Sequence, residues 1–460
     1  MLPVVALIGR PNVGKSTLFN AMTGTRDALV ADLPGLTRDR QYGYARRTEV
    51  PCIVVDTGGI VENASEIEAL MIAQTRRAIE QADRLIVVVD GRAGPTPQDL
   101  FVAGLARRSG KPVFLAVNKT EGFDPAAAAA DFHELALGEP QAVAAAHDQG
   151  VMSLLEAALA GFTADPGDGP EVTGVKVAVI GRPNVGKSTL INRLLGENRL
   201  LTYDRPGTTR DAVLVPFERD GERYTLIDTA GVRRRARVEE AVEKFSVIKT
   251  LQAIETAHVV VVVVDAHDAV AEQDASLLGT VIEQGRALVI AVNKWDHVAA
   301  EQRDLIRQQI EQRMSFADFA PLHFISARHG SGVGEMLASV RRAYAAAMRE
   351  MATPELTRVL QGAIESHQPP LIHGRRIKMR YAHQGGRNPP IIVIHGNQTD
   401  RVPDAYRRYL VNVYRKAFDL NGTPVRVAFR GEENPYAGKR NPLTPRQARK
   451  RKRLIQRNKR

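Results

Sequence analysis

The stretch GRPNVGKSTL fills residues 9–18 and returns, letter for letter, at 181–190. Both copies fit G-x-x-x-x-G-K-[ST], a glycine-rich turn whose backbone N–H groups wrap a chain of phosphates. The first loop is Gly9, Arg10, Pro11, Asn12, Val13, Gly14, Lys15, Ser16 and Thr17; the second is Gly181, Arg182, Pro183, Asn184, Val185, Gly186, Lys187, Ser188 and Thr189. The glycines stand where a side chain would keep the backbone from the phosphates. Lys15 and Lys187 are placed to reach the β and γ oxygens, and Ser16 and Ser188 to set a hydroxyl on Mg2+. A short apolar run precedes each loop (Val4–Ile8; 177–180) and a helical pattern follows, so the phosphates would lie at a helix N-terminus. Average residue frequencies give a chance match in roughly one or two of a hundred chains of this length. Two identical copies in matching contexts remove that explanation.

Outward from the first copy, short β-branched runs at 4–8, 52–56, 85–90, 113–118 and 141–145 alternate with helical stretches up to residue 163. Such alternation predicts a doubly wound α/β domain over 1–163, with its ligand residues at the carboxyl edge of the sheet. There lie Asp56-Thr57-Gly58-Gly59, followed by Ile60; Asp90; and Asn118-Lys119-Thr120-Glu121. Residues 164–174 mix glycine, proline and acids without apolar period and read as a linker. The pattern then restarts over 175–348, with Thr209 answering Thr37 and Asp228-Thr229-Ala230-Gly231, followed by Val232, answering the first D-x-x-G. After a small insertion comes Asn293-Lys294-Trp295-Asp296. This is a tandem duplication. Residues 349–438 change character, with helix, two strands, helix and strand in that order, and predict a small α+β domain without a nucleotide motif.

Of the 460 residues 44% are apolar, enough for ordinary cores, and no run approaches the roughly 18 apolar residues of a membrane span. Val259 to Val264 are six valines between His258 and Asp265, the pattern of a central parallel strand buried on both faces. The first residues lead straight into a predicted strand, which leaves no room for a signal peptide. The single cysteine, Cys52, excludes an internal disulfide and a cysteine-rich zinc site, and reads as a core thiol in a reducing cytoplasm. The net charge of +11 is carried by residues 439–460, which hold eleven lysines and arginines and no acid, while the rest of the chain is balanced. That tail reads as a solvated extension, as a nuclear-import signal or as a cationic arm for RNA phosphates, the last being favoured beside the nucleotide motifs.

A phosphate grip does not choose a base. Asp296 in N-K-x-D can accept from both the ring N–H and the exocyclic amine of guanine, whereas adenine offers the wrong polarity and would leave a buried acceptor unpaired. The lysine stem can cover the base plane. The backbone N–H of Ala327 after Ser326, and of Ala145 after Ala144, is positioned to meet the guanine oxygen. Glu121 stands where the second copy has Asp296, and the extra methylene moves the carboxylate by about a bond length. Asp56 and Asp228 are suited to reach Mg2+ through water, and the backbone of Gly59 or Gly231 to approach the γ-phosphate. Thr37 and Thr209, each in G-x-T-R-D, are candidate switch threonines closing on Mg2+ and the γ-phosphate. Arg233, Arg234, Arg235 and Arg237 read equally as a solvated face or as cations that move with the nucleotide.

Two G domains of the translation-factor type, each with GRPNVGKST, G-x-T-R-D and D-T-x-G, followed by a small α+β domain and a basic tail, resemble the bacterial Der (EngA) family of tandem GTPases. The resemblance covers essentially the whole chain. It implies GTP as substrate, GDP as product, a KH-like third domain, and a role in assembly of the large ribosomal subunit through its rRNA, in a cytoplasmic protein that is monomeric when free and has no membrane partner. It also implies that the first G domain's nucleotide state changes its packing on the third domain. Resemblance to potassium-activated GTPases with the same G-x-P-N-x-G-K-S loop implies that Asn12 and Asn184 help to hold a monovalent cation near the α and β phosphates; the plainer reading is that they brace the loop. No G-x-x-G lies between helices of the third domain, which favours a docking surface over a sequence reader. Against the GTP-hydrolysing switch stand a scaffold in which one G domain binds without productive turnover, and an RNA-modification partner for which no cofactor motif or catalytic cysteine pair is present.

Overall fold

The computed structural model describes residues 2–24, 41–57, 75–122, 124–162, 174–196, 214–227, 247–267, 272–370 and 377–431. The chain divides into two compact units, Met1–Arg349 with Leu420–Pro424, and Glu350–Asp419 with Val425–Arg460.

In the first copy the elements are β1 (Val4–Ile8), α1 (Lys15–Thr23), β2 (Gln41–Ala45), β3 (Cys52–Asp56), β4 (Arg84–Asp90), α2 (Pro97–Arg108), β5 (Val113–Asn118), α3 (Pro125–Ala130), β6 (Pro140–Ala142) and α4 (Val151–Leu159). The six strands form one sheet in the order β2-β3-β1-β4-β5-β6, parallel except for β2. Every residue of β1 is buried, as a strand covered on both faces requires. Val5 and Leu7 pack with Leu18, Phe19 and Leu154 on one face, and Val4, Ala6 and Ile8 enter a separate apolar cluster on the other.

The second copy repeats this with β7 (Val175–Ile180), α5 (Lys187–Leu195), β8 (Leu214–Arg219), β9 (Glu222–Ile227), α6 (Val247–Thr256), β10 (Val259–Asp265), α7 (Glu272–Gln284), β11 (Ala287–Asn293), α8 (Arg303–Arg313), β12 (Leu322–Phe324) and α9 (Val333–Met348). Its sheet runs β8-β9-β7-β10-β11-β12, the same topology. All six valines of β10 are buried. The β8–β9 hairpin turns at Asp220 and Gly221, whose φ values of 55° and 76° match the twist that a two-residue turn needs.

Two details differ from the sequence reading. Strand β2 is not predicted, because Gly43 interrupts QYGYA; there a Cβ would lie 2.6 Å from Thr23 and 2.7 Å from Phe19, so the glycine lets α1 lie close to the sheet. The strand expected over 141–145 ends at Ala142, since Ala144 bridges Gln149 and Ala145 is drawn toward Asn118. Cys52 is buried and its thiol pushed up to about 12 by that burial, as a core thiol should be.

The two copies share one apolar cluster, in which Tyr44, Leu251 and Ile254 meet. The Tyr44 hydroxyl donates to Leu251 O at 2.8 Å, Gln252 Nε2 donates to Leu2 O at 3.0 Å, and Arg46 meets Glu255 at 2.7 Å. Tyr44→Phe removes this hydrogen bond while the Leu251 carbonyl keeps its place in the helix ladder, so it is expected to cost about 0.5–1.5 kcal/mol, read as a lower denaturant midpoint of the full chain. An unchanged midpoint would mean that water replaces the hydroxyl.

The second unit holds α10 (Thr353–Ser366), β13 (Lys378–Gly386), β14 (Ile391–Asn397), α11 (Asp404–Ala417) and β15 (Arg426–Gly431), the expected α-β-β-α-β order. Its three-stranded sheet runs β13-β14-β15, antiparallel then parallel. Among the described residues no helix is long and apolar enough to cross a membrane.

Candidate nucleotide sites

Each glycine-rich loop links the central strand of its sheet to the following helix, and its glycines are demanded by the protein itself. Gly9 has φ 156° and Gly14 φ 92°, with Gly181 and Gly186 at 154° and 97°. A Cβ on Gly9 would lie 2.3 Å from Val88 O, and one on Gly14 2.4 Å from Asn118 Nδ2; the counterparts meet Val263 O at 2.4 Å and Asn293 Nδ2 at 2.2 Å. The loop is therefore pressed against the neighbouring strand and against the asparagine of N-K-x-[DE], which ties the glycine-rich turn to the N-K-x-[DE] turn.

The lysines curl back on their own loops. Lys15 Nζ donates to Gly9 O at 3.0 Å and Arg10 O at 2.8 Å, and Lys187 Nζ donates to Arg182 O at 2.7 Å. Burial holds the Lys15 ammonium below its ordinary pKa, against the opposing pull of Asp56. A phosphate chain would replace weak carbonyl partners with full anionic ones. Ser16 Oγ donates to Asp56 Oδ2 at 2.6 Å, so two of the groups expected around Mg2+ are already adjacent. A hydroxyl and one carboxylate beside phosphate oxygens suit Mg2+, which keeps most of its waters. Thr57 Oγ1 donates to Leu7 O at 2.9 Å and fixes the start of the D-x-x-G turn.

The base side is built alike in both copies. Asn118 Nδ2 donates to Val13 O at 2.9 Å while its Oδ1 accepts from Ala145 N at 3.1 Å; Asn293 does the same with Val185 O at 2.8 Å and Ala327 N at 2.9 Å. Three segments distant in sequence are thus locked together. Lys119 and Lys294 adopt left-handed backbones and extend to Asp90 at 2.6 Å and Asp265 at 2.5 Å. Burial pushes the Asp90 and Asp265 carboxyls up, but hydrogen bonds from these lysines and from the backbone N–H groups of Arg92 and His267, together with the lysines' charge, outweigh it and hold both below the ordinary range. A hydrogen bond from Ser326 holds the Asp296 carboxyl low.

A family model described as "50S ribosome-binding GTPase" matches residues 4–119 and again 176–294, and one described as "KH-domain-like of EngA bacterial GTPase enzymes, C-terminal" matches 350–430. Proteins described as GTPase Der are 55% identical in Hahella chejuensis, over 99% of this chain and 97% of that protein, and 58% identical in Halorhodospira halophila, over 97% and 95%. The protein of the same description from Thioalkalivibrio sulfidiphilus is 56% identical over 99% of both chains. The chain belongs to the GTPase Der family. As a Der-family protein it is a GTP hydrolase with two G domains and a KH-like domain.

Several family-motif residues, Thr37, Gly58, Gly59, Ile60, Thr209, Asp228, Thr229, Ala230, Gly231 and Val232, lie outside the described residues, as do Arg233 to Arg237 and the tail. The structure adds residues that the sequence reading passed over. Asp99 and Asp274, both buried, hold the loop arginines, Arg10 at 3.4 Å and Arg182 at 3.0 Å. Asp99 also closes the N-terminus of α2 with Thr96 in a capping box, so one carboxylate braces both helix and loop. The T-x-x-D spacing ahead of an apolar helix could have signalled the cap; nothing local signals the arginine.

Proposed function

We propose that this GTPase is a nucleotide-driven switch in ribosome biogenesis, docking on the large subunit through rRNA phosphates and released when GTP is hydrolysed. The observation that carries the reading is the pair of matching nucleotide sites in a chain whose G domains fit a family described as ribosome-binding. In each site the loop lysine and backbone N–H groups bind the phosphates, the asparagine joins the phosphate and base loops, and the acid at its end reads guanine. Ser16 and Asp56, with Ser188 and Asp228 in the second copy, would hold Mg2+, which neutralises charge on the β and γ oxygens when bound. Asn12 and Asn184 would hold K+ at the loop. The left-handed backbones at φ 64° and 65° suit asparagine, and among the described residues neither side-chain amide makes a hydrogen bond, which speaks against mere bracing.

The eleven cations of residues 439–460 supply the RNA contact in this reading. Each neutralised phosphate releases counterion, so log affinity should fall with log salt by about 0.7–0.9 per contact. Co-sedimentation with large subunits is expected to be stronger with a non-hydrolysable GTP analogue than with GDP, and removal of 439–460 to flatten the salt slope by several units. Equal sedimentation in both nucleotides would sink the switch, and an unchanged slope the role of the tail.

A further inference from the structure

The two base sites differ at one cation. After β4 the chain turns through Arg92, whose N–H donates to Asp90 Oδ1 at 3.0 Å; after β10 the matching turn carries His267, whose N–H donates to Asp265 Oδ1 at 3.1 Å. The backbones match and the side chains part. His267 turns back on Asp265, its Nδ1 at 3.3 Å from Oδ1. Arg92 reaches across to the base-reading acid, Nη2 donating to Glu121 Oε1, while Nε lies 3.4 Å from Lys119 O. The other oxygen, Glu121 Oε2, is shut off from solvent without a hydrogen-bond partner. In the second site the partners of Asp296 are the Ser326 hydroxyl and the imidazoles of His297 and His329 at 3.3 Å and 3.5 Å; no guanidinium touches it among the described residues.

We propose that Arg92 sets the guanine selectivity of the first site by engaging Glu121, so that the base competes with a permanent cation for its own acceptor. The inference rests on the reading of Glu121 as the guanine acceptor. The ring N–H and exocyclic amine of guanine are donors, and so is every nitrogen of a guanidinium. One oxygen of Glu121 is taken by Arg92 and the other is enclosed, so neither is presented to a base until the pair opens. The extra methylene that distinguishes Glu121 from Asp296 supplies the reach. Both partners are partly exposed, with 53% of the Arg92 side chain and 27% of the Glu121 side chain accessible, so the competition is worth a modest factor and is screened by salt.

The test is the ratio of GTP to inosine triphosphate affinity at the first site, read in full-length protein with the second site silenced by Lys187→Ala. Inosine lacks the exocyclic amine, so the ratio reports what the carboxylate accepts from it. Arg92→Ala is expected to raise the ratio about two- to fivefold at low salt, in line with the modest strength of exposed ion pairs, with the gain shrinking as salt rises. Arg92→Lys should fall between the two. In a Glu121→Asp background the ratio should start higher and Arg92→Ala should add little. With the first site silenced instead by Lys15→Ala, Arg92→Ala should leave the ratio at the second site unchanged. An unchanged or lower ratio in Arg92→Ala, with first-site GTP binding intact, overturns the inference, a lower one meaning that Arg92 presents Glu121 instead of withholding it. A first site that does not distinguish GTP from ATP in any variant overturns the underlying reading of Glu121.

Discussion

Replacing Asp296 with asparagine is expected to weaken GTP at the second site by about a thousandfold or more and to strengthen xanthosine triphosphate by about a hundredfold. The carboxylate offers two acceptors to two guanine donors. The amide of the substituted side chain would turn an N–H toward the exocyclic amine, donor against donor, and leave both without a partner in a site built around that bond. Xanthine carries an oxygen at that position and restores the match. The geometry supports a local effect: Asn293 still bonds Val185 O and Ala327 N, Lys294 still reaches Asp265, and Asp296 lies at the rim of the site with a side chain 21% accessible. The fold should therefore survive, which a thermal midpoint close to that of the parent would show. Binding is measured in the Lys15→Ala background, so that only the second site is read. A loss of GTP affinity under tenfold, or no gain for the xanthine nucleotide, would falsify the assignment of Asp296 as the guanine reader.

The parts of the candidate sites that were legible in the sequence are the motif residues that would face a phosphate chain and a purine in the proposed reading. A phosphate chain and a purine dictate residue types at fixed spacing, so GRPNVGKST, the D-x-x-G aspartates and the N-K-x-[DE] runs stand out, and the duplication doubles the signal. The α/β alternation was legible because parallel strands buried on both faces read as short apolar runs, β10 most plainly. What was hidden depends on partners far along the chain. Asp99 lies 89 residues from Arg10, and Asp274 92 from Arg182, and neither pair has a local pattern. Tyr44 finds its carbonyl 207 residues away, in the other copy, where periodicity says nothing. Arg92 carries no signal of its own, because its meaning comes from Glu121, 29 residues on, and from the histidine that replaces it in the duplicate. The edge strand β2 was hidden for another reason: Gly43 lowers strand propensity, and the close approach of α1 that requires it is a tertiary fact.

Exchange of NaCl for KCl at constant ionic strength is expected to raise turnover by about a hundredfold, with GTP affinity changing far less. Hydrolysis builds charge between the β and γ phosphates, and something must neutralise it. A glutamine after D-x-x-G commonly orients the attacking water, but Ile60 and Val232 hold those positions and their side chains can hydrogen-bond nothing. The loop's own arginines are turned to buried acids, Arg10 to Asp99 and Arg182 to Asp274, so releasing either toward the phosphates would take the cationic partner from a buried carboxylate. The loop lysines are committed to the β and γ oxygens in the same reading. That leaves Asn12 and Asn184, whose amides make no hydrogen bond among the described residues and whose carbonyl oxygens are the neutral ligands an alkali cation prefers. Removing one preorganised charge-stabilising contact costs about 10²–10³ in kcat, which sets the size of the effect. Asn12→Ala with the second site silenced, and Asn184→Ala with the first silenced, should each lose the potassium stimulation while keeping most nucleotide affinity. A bracing asparagine would instead lower affinity in sodium and potassium alike. Turnover that is equal in the two salts, with and without ribosomal subunits, would return the missing charge to an arginine supplied by a partner.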